Sequence, residues 1–154
     1  MEAEIDETDR RLLRLLQRDG RLTNSELSEA VALSPSACHR RVQRLEAAGV
    51  ISGYVALLEA RAAGRMTTVF VEIGLSAQSD DVLDAFERAV RTIPDVLECH
   101  LMAGSADYLL KVAARDAEDF ARIHRQKLAR LPGVARMQSS FSLKTVMQTT
   151  ALPL

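Results

Sequence analysis

Between residues 36 and 44 the chain carries Ser36, His39, Arg40, Gln43 and Arg44, spaced so that a helix of 3.6 residues per turn gathers them on one side. Hydroxyl, imidazole, amide and guanidinium groups in that grouping match the donors and acceptors of base edges in a major groove, and the guanidinium groups also suit phosphate oxygens. Cys38, Val42 and Leu45 fall at i, i+4 and i+7 and point together toward the interior, which makes Cys38 a packing residue. Arg41 lies nearer the border between the two sides. Two outward arginines would by themselves be read as a solvated helix face, so the surrounding elements must decide.

Those elements are well marked. Asp6 is a plausible N-cap for a first helix whose Leu12, Leu13, Leu15 and Leu16 follow three-four spacing, with Gly20 placed to end it. Thr23-Asn24-Ser25-Glu26 is a T-x-x-E capping box, in which the hydroxyl and the carboxylate satisfy orphan backbone donors, and Leu27, Ala30 and Val31 give that second helix its inner face. Ser34-Pro35 starts a third helix, which Gly49 stops after about Ala48. Two helices joined by a very short turn and braced by a first one predict a helix-turn-helix, winged-helix-like and built from three helices. The outward side of its third helix is then expected to meet double-stranded DNA. A unit of about 50 residues has a small core, and dimerisation would support it.

Whole-chain composition neither adds to nor removes this reading. The formal charge of -1 conceals an acidic start (Glu2, Glu4, Asp6, Glu7, Asp9) and a basic stretch at residues 34–48 with Arg40, Arg41 and Arg44 against Glu46. Hydrophobic residues at 47% and charged residues at 27% are ordinary for a folded domain, and with aromatics at 4% and no Trp the core must come from Leu, Val, Ala and Ile. Cys38 and Cys99 form no CxxC pair, which disfavours disulfide and zinc scaffolds and fits a reducing compartment. The start lacks an apolar leader and no run approaches bilayer length, so the expected location is cytoplasmic, nucleoid-associated and away from membranes.

Residues 51–58 are predicted as a short strand, followed by a polar linker at 59–65 containing Gly64. Beyond it Val69, Val71, Ile73 and Leu75 alternate as a strand, and Ser79-Asp80-Asp81 opens a helix carrying Val82, Ala85, Phe86, Ala89 and Val90. That helix ends at Ile93-Pro94-Asp95-Val96 and leads into a strand reaching Met102. Tyr108 to Ala113 reads as another strand. A helix from Asp116, with Phe120, Ile123, Leu128 and Leu131 on its buried side, ends at Leu131-Pro132-Gly133-Val134 and leads into a last strand. The repeated strand-helix-strand order predicts a ferredoxin-like βαββαβ domain, giving an α+β protein overall. The expected division is 1–50 for the helix-turn-helix, 51–65 for strand and linker, and 66–154 for the ferredoxin-like part.

Residues 6–54 resemble the leucine-responsive/asparagine regulator (Lrp/AsnC) family. The stretches IDETDRRLLRLLQRDGR, TNSELSEAVALSPSACHRRVQRLEAAGVISGY, ECHLMAGSADYLLKV and LPGV carry the resemblance, which covers nearly the whole chain. It implies a transcription regulator whose second domain senses a small effector, usually an amino acid, and assembles the protein into homodimers and further, often to octamers. The candidate DNA contacts are Thr23, Asn24, Ser34, Ser36, His39, Arg40, Gln43 and Arg44. The resemblance places effector contacts at Met102, Ala103, Gly104, Ser105, Asp107 and Tyr108, at contacts between dimers. Chemistry agrees in part, since Gly104 permits close backbone approach and the Asp107 carboxylate can pair with an α-amino group. One departure stands out: where the family commonly has Gly in the turn between the second and third helices, this chain has Ala32.

Other features suggest no catalysis. Cys99 and His100 are adjacent on a strand and face opposite sides, which disfavours a shared metal site. His124 reads as a helix-surface residue, and Met102, Met137 and Met147 as packing residues, with Met102 also able to line an effector pocket. No phosphate-binding loop, HExxH or nucleophile elbow occurs, and no cofactor is expected. The rival reading is an enzyme, because sirohaem decarboxylases similar to this family share the two-domain layout; outward Arg40 and Arg44 argue against it. A stand-alone metabolite-binding module would leave the first 50 residues without a role.

Overall fold

A computed structural model describes residues 4–154, so Glu2 of the acidic start lies outside the described residues. The chain divides into two compact units, a helical one that runs through Leu57 and also takes in Met147–Leu154, and a sheet-containing one, Leu58–Val146.

The helical unit contains α1 (Glu7–Leu16), α2 (Asn24–Ala30) and α3 (Pro35–Ala47). Asp6 caps α1 by accepting from the Asp9 N–H at 2.8 Å, while the Asp9 carboxylate accepts from the Asp6 N–H at 3.1 Å. Thr23 and Glu26 form the equivalent box on α2, and Ser34 accepts from the Ala37 N–H at 3.2 Å with Pro35 at the first position of α3. Leu12, Leu27, Val31 and Cys38 make the core, flanked by Leu15, Leu16, Leu22, Leu33 and Val42. Burial raises the Cys38 thiol above its ordinary range, consistent with a packing role.

Ala32 in the α2–α3 turn has φ of 56°. A Cβ in the left-handed region costs about 1–2 kcal/mol, which glycine avoids, less roughly 0.5–1 kcal/mol for the looser unfolded chain that glycine brings. Ala32→Gly is therefore expected to stabilise by up to about 1 kcal/mol and to raise Tm by a few degrees in a thermal melt. An unchanged or lower Tm would show that the turn carries no strain.

The strand expected at residues 51–58 does not form. A strand exists only where a neighbour completes its hydrogen-bond ladder, and no described segment lies alongside. Ile51 and Tyr54 are tied down, the Ile51 N–H donating to the Leu45 carbonyl at 3.2 Å and the Tyr54 hydroxyl to Glu46 at 3.0 Å, with the Tyr54 ring packed over Gly20. Val55, Leu57 and Leu58 are left strongly exposed.

The second unit runs β1 (Thr67–Leu75), α4 (Asp80–Val90), β2 (Val96–Leu101), β3 (Tyr108–Ala114), α5 (Ala117–Gln126), a 3-10 turn at Leu128–Arg130 and β4 (Val134–Phe141). The sheet order is β2-β3-β1-β4 with every neighbouring pair antiparallel, which is the ferredoxin-like βαββαβ arrangement. One sheet face buries Val69, Val71, Ile73, Tyr108, Leu110, Val112 and Ala114 under Phe86, Val90, Phe120, Ile123, Leu128 and Leu131 from the helical layer. The rings of Phe86 and Tyr108 lie 4.5 Å apart. Met137 packs on this core, but Met102 and Met147 are exposed, contrary to the packing role expected of them. Cys99 pairs across from Leu110 and His100 from Leu109, so the two do face opposite sides.

The two Pro-containing corners are held differently. Asp95, after Pro94, is buried and accepts from Lys127 Nζ at 2.5 Å, while Gly133, after Pro132, has φ of 73° and its carbonyl accepts from the Ser76 N–H at 2.8 Å. Asp119 near the start of α5 is also buried, and its carboxyl is held far below the usual carboxylate range by the Arg115 N–H, then by the Arg122 and Arg115 guanidinium groups.

Candidate nucleic-acid interface and effector loop

On α3, Ser36, His39, Arg40, Gln43 and Arg44 are all exposed. His39, Arg40 and Gln43 form no hydrogen bond or ion pair with other described residues. Arg44 differs from the expectation of a freely outward guanidinium: its Nη2 is bonded to Asp9 Oδ2, although half of the side chain remains exposed. Arg41 reaches the same carboxylate at 2.9 Å and Asp6 Oδ2 at 2.6 Å. Asp9 itself is fully buried. The physical reason is that a buried carboxylate must be paired, and the cations within its reach lie on the adjoining helix.

Asp6 is correspondingly held below the usual carboxylate range, chiefly by the Arg41 hydrogen bond and then by the Asp9 N–H. Asp9 is the functional residue that sequence reasoning missed. Its D-x-x-D spacing with Asp6 was a visible capping signal, but nothing local showed that it also anchors α3.

The other expected contacts are partly committed. The Thr23 hydroxyl donates to Glu26 Oε2 at 2.7 Å within its capping box. The Asn24 amide donates to the Pro35 carbonyl at 2.8 Å, tying the start of α2 to the start of α3. The Ser34 and Ser36 hydroxyls lie 3.3 Å apart. Arg40, Arg41 and Arg44 line a cleft of about 380 Å³ together with Asp6, Leu33 and Ala37. This arrangement puts Ser36, His39, Arg40 and Gln43 on a helix braced from behind, as contact with a duplex requires.

In the loop between β2 and β3, Met102, Ala103, Gly104 and Ser105 are exposed. The Met102 N–H donates to the Asp107 carbonyl at 2.9 Å, and Arg136 donates to the Ser105 carbonyl at 3.0 Å. Asp107 is less available than expected, because its carboxylate already accepts from the Leu75 N–H at 2.7 Å and Gln78 Nε2 at 2.6 Å. Its first task is to cap the end of β1. Tyr108 is a correction: it is only 1% exposed, packs on Phe86 and donates to Glu87 Oε1 at 2.8 Å. Burial and the Glu87 carboxylate push its phenol well above the ordinary range. Gly104 has open space where a Cβ would lie and no positive φ, so no neighbour within its own chain demands glycine.

Residues 5–52 match a winged helix-turn-helix DNA-binding domain, and residues 68–152 match the Lrp/AsnC ligand binding domain. The leucine-responsive regulatory protein of Escherichia coli K12 is 41% identical over 149 residues, spanning 97% of this chain and 91% of that protein. The chain belongs to the Lrp/AsnC family. Among solved structures, a transcriptional regulator from Neisseria meningitidis in complex with L-methionine is 41% identical, with a TM-score of 0.92 and 97% of each chain covered. An AsnC family regulator from Agrobacterium tumefaciens is 35% identical, also with a TM-score of 0.92 and 96% of each chain covered. A feast or famine regulatory protein of M. tuberculosis complexed with L-methionine is 32% identical over 97% of this chain and 99% of its own, with a TM-score of 0.87.

As a member of the Lrp/AsnC family the chain is a DNA-binding transcriptional regulator with a domain for a small effector, and not an enzyme. Its α1–α3 unit and four-stranded sheet are the family's two parts. Among the described residues no helix is long and apolar enough to cross a membrane, and no three His, Cys, Asp or Glu side chains are grouped to hold a metal ion.

Proposed function

We propose that this Lrp/AsnC regulator reads duplex DNA through Ser36, His39, Arg40 and Gln43 of α3, with the helix pose set from behind by Asp9. The observation that carries the reading is the division of labour on α3: Arg41 and Arg44 are drawn onto α1 carboxylates, whereas His39, Arg40 and Gln43 stay exposed without partners among the described residues. Thr23, Asn24 and Ser34 hold the mouth of the helix-turn-helix, and their exposed edges lie beside the same contact. The DNA-binding part is residues 1–50 and the sensing part begins at 66, joined by 51–65, in a regulator that works in the cytoplasm on the nucleoid.

The effector is an amino acid, and the loop Met102 to Ser105 receives it where copies of the chain meet. Two relatives solved with L-methionine support that ligand class, and the open space around Gly104 fits a site completed from outside the chain. A homodimer forms first, on the sheet face that leaves Phe70 exposed, and dimers then associate toward an octamer. A second copy would also supply the neighbour that residues 51–58 lack. Paired recognition helices then meet half-sites one helical turn or a multiple apart.

Arg40→Ala tests the DNA assignment. The slope of log affinity against log salt is expected to fall by about 0.9 for one lost phosphate contact, with the assembly state unchanged. An unchanged slope in a fluorescence-anisotropy titration would move the contact away from Arg40. A thermal-shift screen of the amino acids identifies the effector, since a ligand that prefers the folded state raises Tm.

A further inference from the structure

The outer side of α1 holds a second piece of chain that no part of the DNA or effector reading uses. Gln17, at the end of α1, turns its carboxamide onto the main chain of Leu152: Oε1 accepts from the Leu152 N–H at 2.5 Å, and Nε2 donates to the Leu152 carbonyl at 3.1 Å. Arg14, one turn earlier, donates through Nη1 to the Leu154 carbonyl at 2.9 Å, with its Nη2 held by Glu7 at 2.6 Å. A side-chain amide that meets both the N–H and the C=O of one residue imitates a neighbouring β-strand. It reads extended main chain and not side chains. Leu152 precedes Pro153, which disfavours helical geometry at Leu152 and presents both groups for the amide. The tail's own apolar groups are mostly outside, Met147 at 82% and Leu152 at 71% exposure, so side-chain burial does not hold it there.

We propose that the α1 face formed by Glu7, Arg14 and Gln17 is a docking surface for extended chain, occupied by residues 147–154 of this protein, and that the docked tail couples β4 of the effector domain to the recognition helix. The connection is covalent on one side, because the tail follows β4 and joins the helical unit at Met147. On the other side it passes through α1, whose Asp9 holds Arg41 and Arg44 of α3. The tail is thus a second tether beside the linker at 51–65. Few hydrogen bonds hold it, the two from Gln17 exposed and the one from Arg14 partly buried, which makes it easy to release, as a switching element must be. The coupling rests on the proposed DNA reading, while the docking stands without it.

Gln17→Ala and a chain shortened by residues 147–154 test both parts, and neither alters charge, since residues 145–154 contain no ionisable side chain. The docking part is read by trypsin cleavage after Lys144, which is exposed just ahead of the tail. Gln17→Ala is expected to cleave there several-fold faster than wild type at an unchanged Tm. Equal cleavage rates would overturn the docking surface. The coupling part is read by anisotropy on sheared genomic DNA at low salt, where both variants are expected to bind about three- to tenfold more weakly because the helical unit is less preorganised. A synthetic peptide of residues 145–154 added to the shortened chain should restore part of that loss. Faster cleavage with DNA affinity equal to wild type would overturn the coupling. A wild-type protein indifferent to DNA would overturn the proposed function and the coupling together, with the docking still decided by the cleavage at Lys144.

Discussion

Asp9→Ala is expected to lower the stability of the helical unit by about 2–3 kcal/mol, a drop in Tm on the order of 10 °C. The carboxylate is fully buried and accepts from Arg41, from Arg44 and from the Asp6 N–H. Deleting one partner of a buried ion pair typically costs about 3–5 kcal/mol, since the other charge is left without compensation. Here the two arginines are 32% and 50% exposed and can regain water, which places the loss below that range. Asp9→Asn keeps an acceptor without the charge and should fall between wild type and Ala. The freed arginines should raise binding to unrelated DNA at low salt, while the loosened α3 narrows the difference between preferred and unrelated fragments. Calorimetric unfolding together with competition binding checks both parts. A wild-type Tm with unaltered discrimination would remove Asp9 from its positioning role.

Gly133→Ala is expected to cost about 2–4 kcal/mol in the sheet unit, the sum of a left-handed alanine and an overpacked contact. The backbone there has φ of 73°, and an added Cβ would stand 2.7 Å from Val82 Cγ1, with Leu75 Cδ2 at 3.9 Å. The two contributions separate in a double variant. Adding Val82→Ala should recover the steric share, less what its own truncation loses, and leave the backbone share in place. Denaturant unfolding followed by circular dichroism measures each. If the single variant unfolds at the wild-type midpoint, the corner after Pro132 relaxes freely and the tight packing of α4 against it is not structural.

The helix-turn-helix was legible because its signals are local. Asp6, Thr23 and Ser34-Pro35 satisfy backbone donors within three residues of themselves, so their meaning does not depend on the rest of the chain. The ferredoxin-like order was legible for a similar reason: alternation in Val69, Val71 and Ile73 and the three-four spacing in Phe86 and Val90 are written in short windows. Even Ala32 could be singled out, and its φ of 56° is the conformation that makes glycine the usual occupant of such a turn.

The candidate site was legible only as a set of residues on one helix side. Which of them stay available was decided across long separations. Arg44 is taken up by a carboxylate 35 residues away, and Asp107 is occupied by Leu75 and Gln78 from the end of β1 and beyond. Tyr108 begins a strand and could have faced either way, but the sheet puts it under Phe86. The expected strand at 51–58 failed because a strand is a property of two segments, and one segment's composition does not reveal whether the other exists. Local backbone demands and hydrophobic periods therefore determined from sequence alone which elements this protein builds and in what order. Only the tertiary structure decided which polar groups remain unspent and where the tail 147–154 lies, because pairing of charges and amides depends on proximity that the folded chain alone creates.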